Sequence, residues 1–234
     1  EVRLPVPIDG AIKVINIGYR FSEHQPWVIK NLNFELGAGE VMGITGPSGC
    51  GKSTLLGIIQ SLIKSQEGEI EIDGLPLSIV GSQSLRWYSS SVLQEDVLFS
   101  GTIKSNITFN TAFVNMERVR EVAKIAAIDQ DITNLPLGYD SQIGEMGTVL
   151  SAGQQQRVLI ARALYQQPKI LLLDEGTAHL DKQTEAAVMQ NIKALGISCI
   201  FVSHNQTLMS LADKILVMEK DGYKLQRVST TVNV

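Results

Sequence analysis

The sequence predicts an α/β fold built on a mostly parallel β-sheet with helices on both faces, and three observations point to it. Short runs such as VMGITG (41–46), ILLLD (170–174) and SCIFVS (198–203) are almost wholly apolar, as strands covered on both sides must be. They alternate with segments of helical spacing at 53–63, 154–166 and 184–195. Between the first of these strands and the first helix lies a glycine-rich loop, giving the order strand, loop, helix.

The other elements follow in turn. AIKVINIGYRF (11–21) is β-branched and partly alternating, and NLNFEL (31–36) is a second strand signal. GEIEIDG (68–74) alternates and looks like half of a hairpin. RVREVAKIAAI (118–128) is helical, TEAAVMQNIKAL (184–195) is a helix closed by Gly196, and KILVME (214–219) is a last strand. Residues 95–168 lack the strand–helix rhythm and read as a mainly helical lobe, leaving 11–94 and 169–234 as the core. Residues 1–10, with two prolines and a glycine, read as the end of a linker.

Composition narrows the function classes. The chain has 234 residues, 44% of them hydrophobic, enough for one domain with a buried core. A net charge of -4 gives no general electrostatic reason to bind nucleic acid or an anionic membrane. Cys50 and Cys199 lie far apart, with no metal-ligand spacing, and read as reduced thiols of a cytosolic setting. No run reaches the roughly 18 apolar residues that span a bilayer, and no signal peptide is visible.

Gly46-Pro47-Ser48-Gly49-Cys50-Gly51-Lys52-Ser53-Thr54 matches the phosphate-binding pattern GxxxxGK[ST] in full. Its glycines let backbone N–H groups turn inward toward phosphate, and the helix behind presents its positive end. Lys52 adds a point charge for the β and γ phosphates, and Ser53 a hydroxyl ligand for Mg²⁺. The alternative, a glycine-rich turn that merely precedes a helix, ignores the strand on the other side. Such a site needs an acid at the end of a neighbouring strand, and ILLLD delivers Asp174 there, suited to the magnesium shell. Glu175 follows at once and suits the polarisation of an attacking water, although it could also be a helix-start charge. His204 ends the apolar strand SCIFVS, where ligands collect in open α/β sheets; a γ-phosphate sensor is favoured over a structural histidine.

LeuSerAlaGlyGlnGlnGlnArg (150–157) resembles the LSGGQ signature of the ABC ATPases, with Ala152 in place of the first glycine. Gln94, within VLQEDVLFSGTIKSNI (92–107), matches that family's Q-loop. LeuLeuLeuAspGlu (171–175) matches its Walker B motif, and AlaHisLeuAsp (178–181) its D-loop, with Gly176, Ala178 and His179 as departures. His204 matches the switch histidine. The resemblance covers roughly residues 12–220. It implies a P-loop NTPase with a RecA-like core, an antiparallel β layer and a helical subdomain. It also implies a head-to-tail homodimer in which two ATPs lie between one copy's phosphate loop and the other's signature.

On that resemblance, Ser151, Ala152, Gly153 and Gln154 are expected to contact the partner's nucleotide, together with Asp181. Gln94 is expected to join Ser53 and Asp174 around Mg²⁺, while Lys52, Gln94, Glu175 and His204 carry catalysis. Physically, Ser151 and Gly153 open a helix (153–165) and so make a second N-terminal anion site; Ser151 is equally a good N-cap, and both roles can hold together. The base-stacking aromatic falls on Phe21 rather than Tyr19, where the family usually has tyrosine, although either ring could be strand core. Stacking alone reads no exocyclic group, so GTP is not excluded.

LFSGTIKSNI (98–107) and IleGlyGluMetGly (143–147) look like exporters, and Glu145 is a candidate contact to the coupling helices of a transmembrane domain, or a solvated loop acid. SAGQQQRVLIARALYQQPKILLLDEGTAHLD is most similar to the peptidase-containing bacteriocin exporters of the colicin V type. The resemblance implies a motor at the cytoplasmic face of a membrane, with residues 1–10 leading in from a transmembrane domain. Two rivals are weighed. A soluble ABC ATPase of DNA repair or translation would carry a long coiled coil between Lys52 and Asp174, or a second such domain. A slow regulatory module would have a degraded Glu175 or His204, and both are present.

Overall fold

The computed structural model describes residues 7–109, 111–144, 149–175, 179–220 and 222–228. The chain opens with β1 (Ile12–Tyr19), β2 (Ile29–Leu36) and β3 (Val41–Thr45), then α1 (Lys52–Ile59). β4 (Glu67–Ile72) and β5 (Leu75–Pro76) lead to α2 (Leu77–Tyr88), which is broken at Gly81 (φ 78°), and to β6 (Ser89–Val92). Next come β7 (Gly101–Thr102), α3 (Ile103–Thr108), α4 (Met116–Ile125), α5 (Asp129–Thr133), β8 (Gln142–Ile143) and α6 (Ala152–Tyr165). The last elements are β9 (Ile170–Asp174), α7 (Lys182–Ala194), β10 (Ser198–Val202), α8 (Gln206–Met209), β11 (Lys214–Glu219) and β12 (Gly222–Arg227).

The main sheet has the order β12-β11-β3-β10-β9-β6, parallel throughout except for β12. A second, antiparallel sheet has the order β2-β1-β4-β5. GEIEIDG does form half of a hairpin, β4 pairing with β5, but β4 also pairs with β1. Among the described residues of 95–168 the helices are accompanied by one small ribbon, β7 with β8.

The apolar strands serve two cores at once, because successive side chains leave a strand on opposite faces. Met42, Ile44, Ile170, Leu172, Ile200 and Val202 face the antiparallel sheet and α1. Val41, Leu171, Leu173, Cys199 and Phe201 face the other way, toward α4, α6 and α7. Burial pushes the Cys199 thiol up to about 12, which makes it a packing group rather than a nucleophile. Cys50 is also buried, and neither cysteine is in a disulfide.

Polar ties hold the layers in register at the amino ends of the strands. Ser198 is fully buried; its Oγ donates to the Gly10 carbonyl (2.7 Å) and accepts from the Gly39 N–H (3.0 Å). The expected linker 1–10 is packed from Ile8 onward. Ile8 is buried in the core, and the Asp73 carboxylate accepts from the N–H groups of Asp9, Gly10 and Ala11. Residues 1–6 lie outside the described residues. Among the described residues no helix is long and apolar enough to cross a membrane.

Lys214, on β11, joins the two sheets. Its buried ammonium donates to Glu40 Oε2 (2.6 Å) and to the Glu35 carbonyl at the end of β2 (2.8 Å). Burial works to raise the Glu40 pKa, but the Lys214 ammonium and the Gly37 N–H outweigh it, so the carboxyl titrates below its ordinary 4.5. A carboxyl with a lowered folded-state pKa stabilises fully above its unfolded value, and that stability is lost as pH falls through the folded one. Lys214→Met, which keeps an apolar stem, is therefore expected to lower the unfolding free energy by about 2 kcal/mol at neutral pH. In urea titrations the gap between variant and wild type should narrow once the pH drops below 4.5.

Candidate nucleotide site

The carboxyl ends of β3, β10 and β9 lie side by side, since β10 pairs with both of the others. The loop 46–51 follows β3, Asp174 is the last residue of β9, Glu175 comes next, and His204 stands two residues beyond β10. A cleft of ≈ 290 Å³ opens there, lined among others by Phe21, Lys52, Gln94, Asp174, Glu175 and His204. Segments more than 180 residues apart in sequence thus meet at one spot, as sheet topology dictates.

The loop owes its shape to glycine. Gly46, Gly49 and Gly51 have φ of 151°, 77° and 98°, in the region L side chains avoid. At Gly46 a Cβ would stand 2.3 Å from the Met218 carbonyl oxygen, and at Gly51 2.9 Å from Val28 Cγ1. Cys50 buries its thiol at the edge of the core, where its Sγ lies 4.0 Å from Lys52 Nζ. Helix α1 starts at Gly51 with no side chain capping it, so its first N–H groups face the cleft end of the loop, the arrangement that suits an anion.

Lys52 is 8% exposed, and its Nζ donates to the carbonyls of Gly46 and Pro47, each at 2.9 Å. Among the described residues it has no ion pair. Asp174, also buried, lines the same cleft without closing on Lys52. A buried charge without a counter-charge costs several kcal/mol. Two opposite charges that share a cleft and stay apart fit a ligand carrying both signs, such as a phosphate chain with a divalent cation. Among the described residues no three His, Cys, Asp or Glu could hold a metal by themselves. A cation bound by Ser53, Gln94 and Asp174 would complete its shell with oxygens of phosphate or water.

At the mouth, Phe21 is 67% exposed and packs edge-on against Tyr19, ring centres 5.4 Å apart. Val28 also lines the cleft, and sequence alone carried no signal for it.

Ser151, Ala152, Gly153, Gln154 and Asp181 are not among the residues lining this cleft. The first four begin α6, which starts at Ala152, one residue ahead of expectation. Ser151 Oγ accepts from the Gln154 N–H (3.2 Å) and Gln154 Oε1 accepts from the Ser151 N–H (2.9 Å), a reciprocal cap. Asp181 caps α7 by accepting from the N–H groups of Gln183 and Thr184. The Thr184 side chain first, then those N–H groups, hold its carboxyl below the ordinary range. Beside His204, Asn205 Nδ2 donates to the buried Glu185 Oε2 at 2.6 Å, a tie across to α7 that sequence did not signal. Glu145, Gly176 and Ala178 lie outside the described residues.

A family model described as ABC transporter matches residues 29–178. The chain belongs to the ABC transporter family. Within that family it is 40% identical over 221 residues to the leukotoxin translocation ATP-binding protein of Mannheimia glucosida, covering 93% of this chain and 31% of that protein. The corresponding protein of Mannheimia haemolytica is 41% identical with the same coverage. The chain thus spans about a third of the length of these relatives. A solved structure of a bacterial Atm1-family ABC exporter with ATP bound superposes with a TM-score of 0.86 at 34% identity, over 94% of this chain and 39% of that one. The fold is accordingly the ABC ATPase fold of exporter type, and the chain is a nucleotide-binding ATPase domain of that family.

The ABC loop geometry separates two glycines that sequence treats alike. A Cβ at Gly49 meets nothing within 4 Å, so Gly49→Ala should cost only the left-handed backbone penalty, about 1–2 kcal/mol. Gly46→Ala should cost about 3 kcal/mol or more, because the Met218 carbonyl must move as well. Urea unfolding of the two variants measures the difference.

Proposed function

We propose that this chain is the ATP-hydrolysing motor of an exporter that moves a peptide or protein across a membrane, working as a head-to-tail homodimer at the cytoplasmic face. The observation that carries the nucleotide half is the pair Lys52 and Asp174, buried in one cleft and left apart. Lys52 and the N–H groups of 48–54 hold the phosphates, and Phe21 stacks on the base. Ser53, Gln94 and Asp174 hold Mg²⁺, which when bound neutralises charge on the transferring phosphoryl group. Glu175 orients and polarises the attacking water, and His204 hydrogen-bonds the γ-phosphate. Catalysis here is positioning and electrostatics.

The dimer half is supported by the location of the signature. Ser151 and Gly153 start a 14-residue helix whose N-terminus is anion-ready, yet they do not line their own chain's cleft. A second copy, related head to tail, would bring them to its phosphates, with Asp181 alongside. A groove of ≈ 610 Å³ lined by Arg86, Trp87, Phe109 and Arg162 supports contact with a membrane-spanning partner. Trp87 and Phe109 are 68% and 63% exposed, and the Arg162 guanidinium packs over the Phe99 and Phe109 rings. The curated relatives named for leukotoxin translocation support a protein or peptide cargo, and are compatible with the bacteriocin-type resemblance.

Glu175→Gln should lower the rate of Mg-ATP hydrolysis by about 10²-fold or more while nucleotide still binds, and should trap an ATP-dependent dimer in size-exclusion chromatography. Hydrolysis at the wild-type rate by Glu175→Gln would remove the water-orienting role, and a species that stays monomeric with ATP would remove the sandwich. Phe21→Ala should weaken ATP binding by about 1–3 kcal/mol, and Phe21→Tyr should restore it; equal affinities in a titration would put the base elsewhere.

A further inference from the structure

Three glutamines follow Gly153, and each has a different task. Gln154 caps Ser151 and donates from Nε2 to Asp131 Oδ1 (3.0 Å). Gln155 donates back to the Leu150 carbonyl (2.9 Å). Gln156 points to the other side of α6. Its Nε2 donates to the main-chain carbonyl of Glu175, and its Oε1 accepts from the main-chain N–H of His179, each at 3.0 Å. A carboxamide has one donating and one accepting end, and both are used on the segment that follows β9.

The approach that makes this possible is enforced one turn earlier. A Cβ at Gly153 would stand 2.9 Å from the His179 carbonyl oxygen, so only glycine lets α6 come this close. Glu175 itself has φ 51°, a left-handed conformation rare for a residue with a side chain. Past the end of β9 its carbonyl has left the strand ladder, and Gln156 gives it a partner. Gln156 does not line the nucleotide cleft, so whatever it does for chemistry it does through Glu175.

We propose that Gln156 is a positioning residue for hydrolysis, one that fixes the backbone of Glu175 and ties it to the signature helix. The proposal rests on the reading of Glu175 as the water-orienting carboxylate. The same two hydrogen bonds tie the start of α6 to the main chain at Glu175 and at His179. A shift of α6 when its signature meets a partner's nucleotide then reorients Glu175 directly, so contact across the dimer and activation of water are one event.

The test compares Gln156→Leu, Gln156→Glu and Gln155→Leu in the full chain. Gln156→Leu removes both bonds at similar volume, and Gln156→Glu keeps the acceptor but loses the donor. Both should lower kcat by about 10- to 100-fold, with KM and the affinity for a non-hydrolysable ATP analogue within about twofold of wild type. Gln155→Leu, which loses one hydrogen bond from the same helix, should keep wild-type kcat. Amide hydrogen exchange at His179 should speed up in Gln156→Leu and leave the sheet unchanged, a readout independent of turnover. Wild-type kcat in Gln156→Leu beside an inactive Glu175→Gln overturns this proposal alone. Wild-type kcat in Glu175→Gln overturns it together with the role of Glu175. A parallel loss of nucleotide affinity, or unchanged exchange at His179, overturns it as well.

Discussion

The loop between β3 and α1 must turn tightly while its backbone packs against Met218 and Val28. That requirement sets glycine at positive φ in three places, and leaves α1 without a side-chain cap. It also puts Lys52 where its ammonium meets groups of its own loop, the carbonyls of Gly46 and Pro47 and the Cys50 thiol. The rest of the domain is arranged around this constraint. Parallel strands bring Asp174, Glu175 and His204 beside the loop, and two cores hold those strands from both sides. The antiparallel layer contributes Phe21 and Val28 at the mouth.

Much of this was legible because each feature leaves a strong local trace. A strand buried on both faces has to be apolar throughout, so β3, β9 and β10 stood out, and their last residues marked the site. Short, broken or sparsely buried elements leave no such trace. β6 is Ser-Ser-Ser-Val, a parallel edge strand whose serines carry no hydrophobic pattern. α2 is broken at Gly81, which disguises its period. β7 and β8 are two residues each. β12 is largely exposed and pairs only with β11 among the strands of its sheet.

The lining of the candidate cleft was legible in part. The stretch 46–54, Asp174, Glu175 and His204 follow from chemistry that needs those residue types in sequence. Val28, the Glu185–Asn205 tie and the bridge made by Gln156 depend on which side chains face each other after folding, and sequence spacing does not encode that. The signature residues lie between these cases. Their helix-capping role was visible, whereas their distance from their own chain's cleft appears only in three dimensions.

The two-sided burial of β10 has a consequence for accuracy. Where one face of a strand is wet, a slip of one residue exposes its apolar set, and hydrophobicity itself forbids the error. In β10 both faces are greasy, so a slip would merely trade Cys199 and Phe201 for Ile200 and Val202, and oil alone would hardly object. Polar ties therefore matter for alignment, and one of them is Ser198, buried at the start of the strand and bonded to Gly10 and Gly39. Like a zero mark at the wrong end of a ruler, a hydroxyl far from the cleft helps set where His204 stands relative to Asp174 and Lys52. A fault there would surface as poor chemistry in a protein that still looks folded.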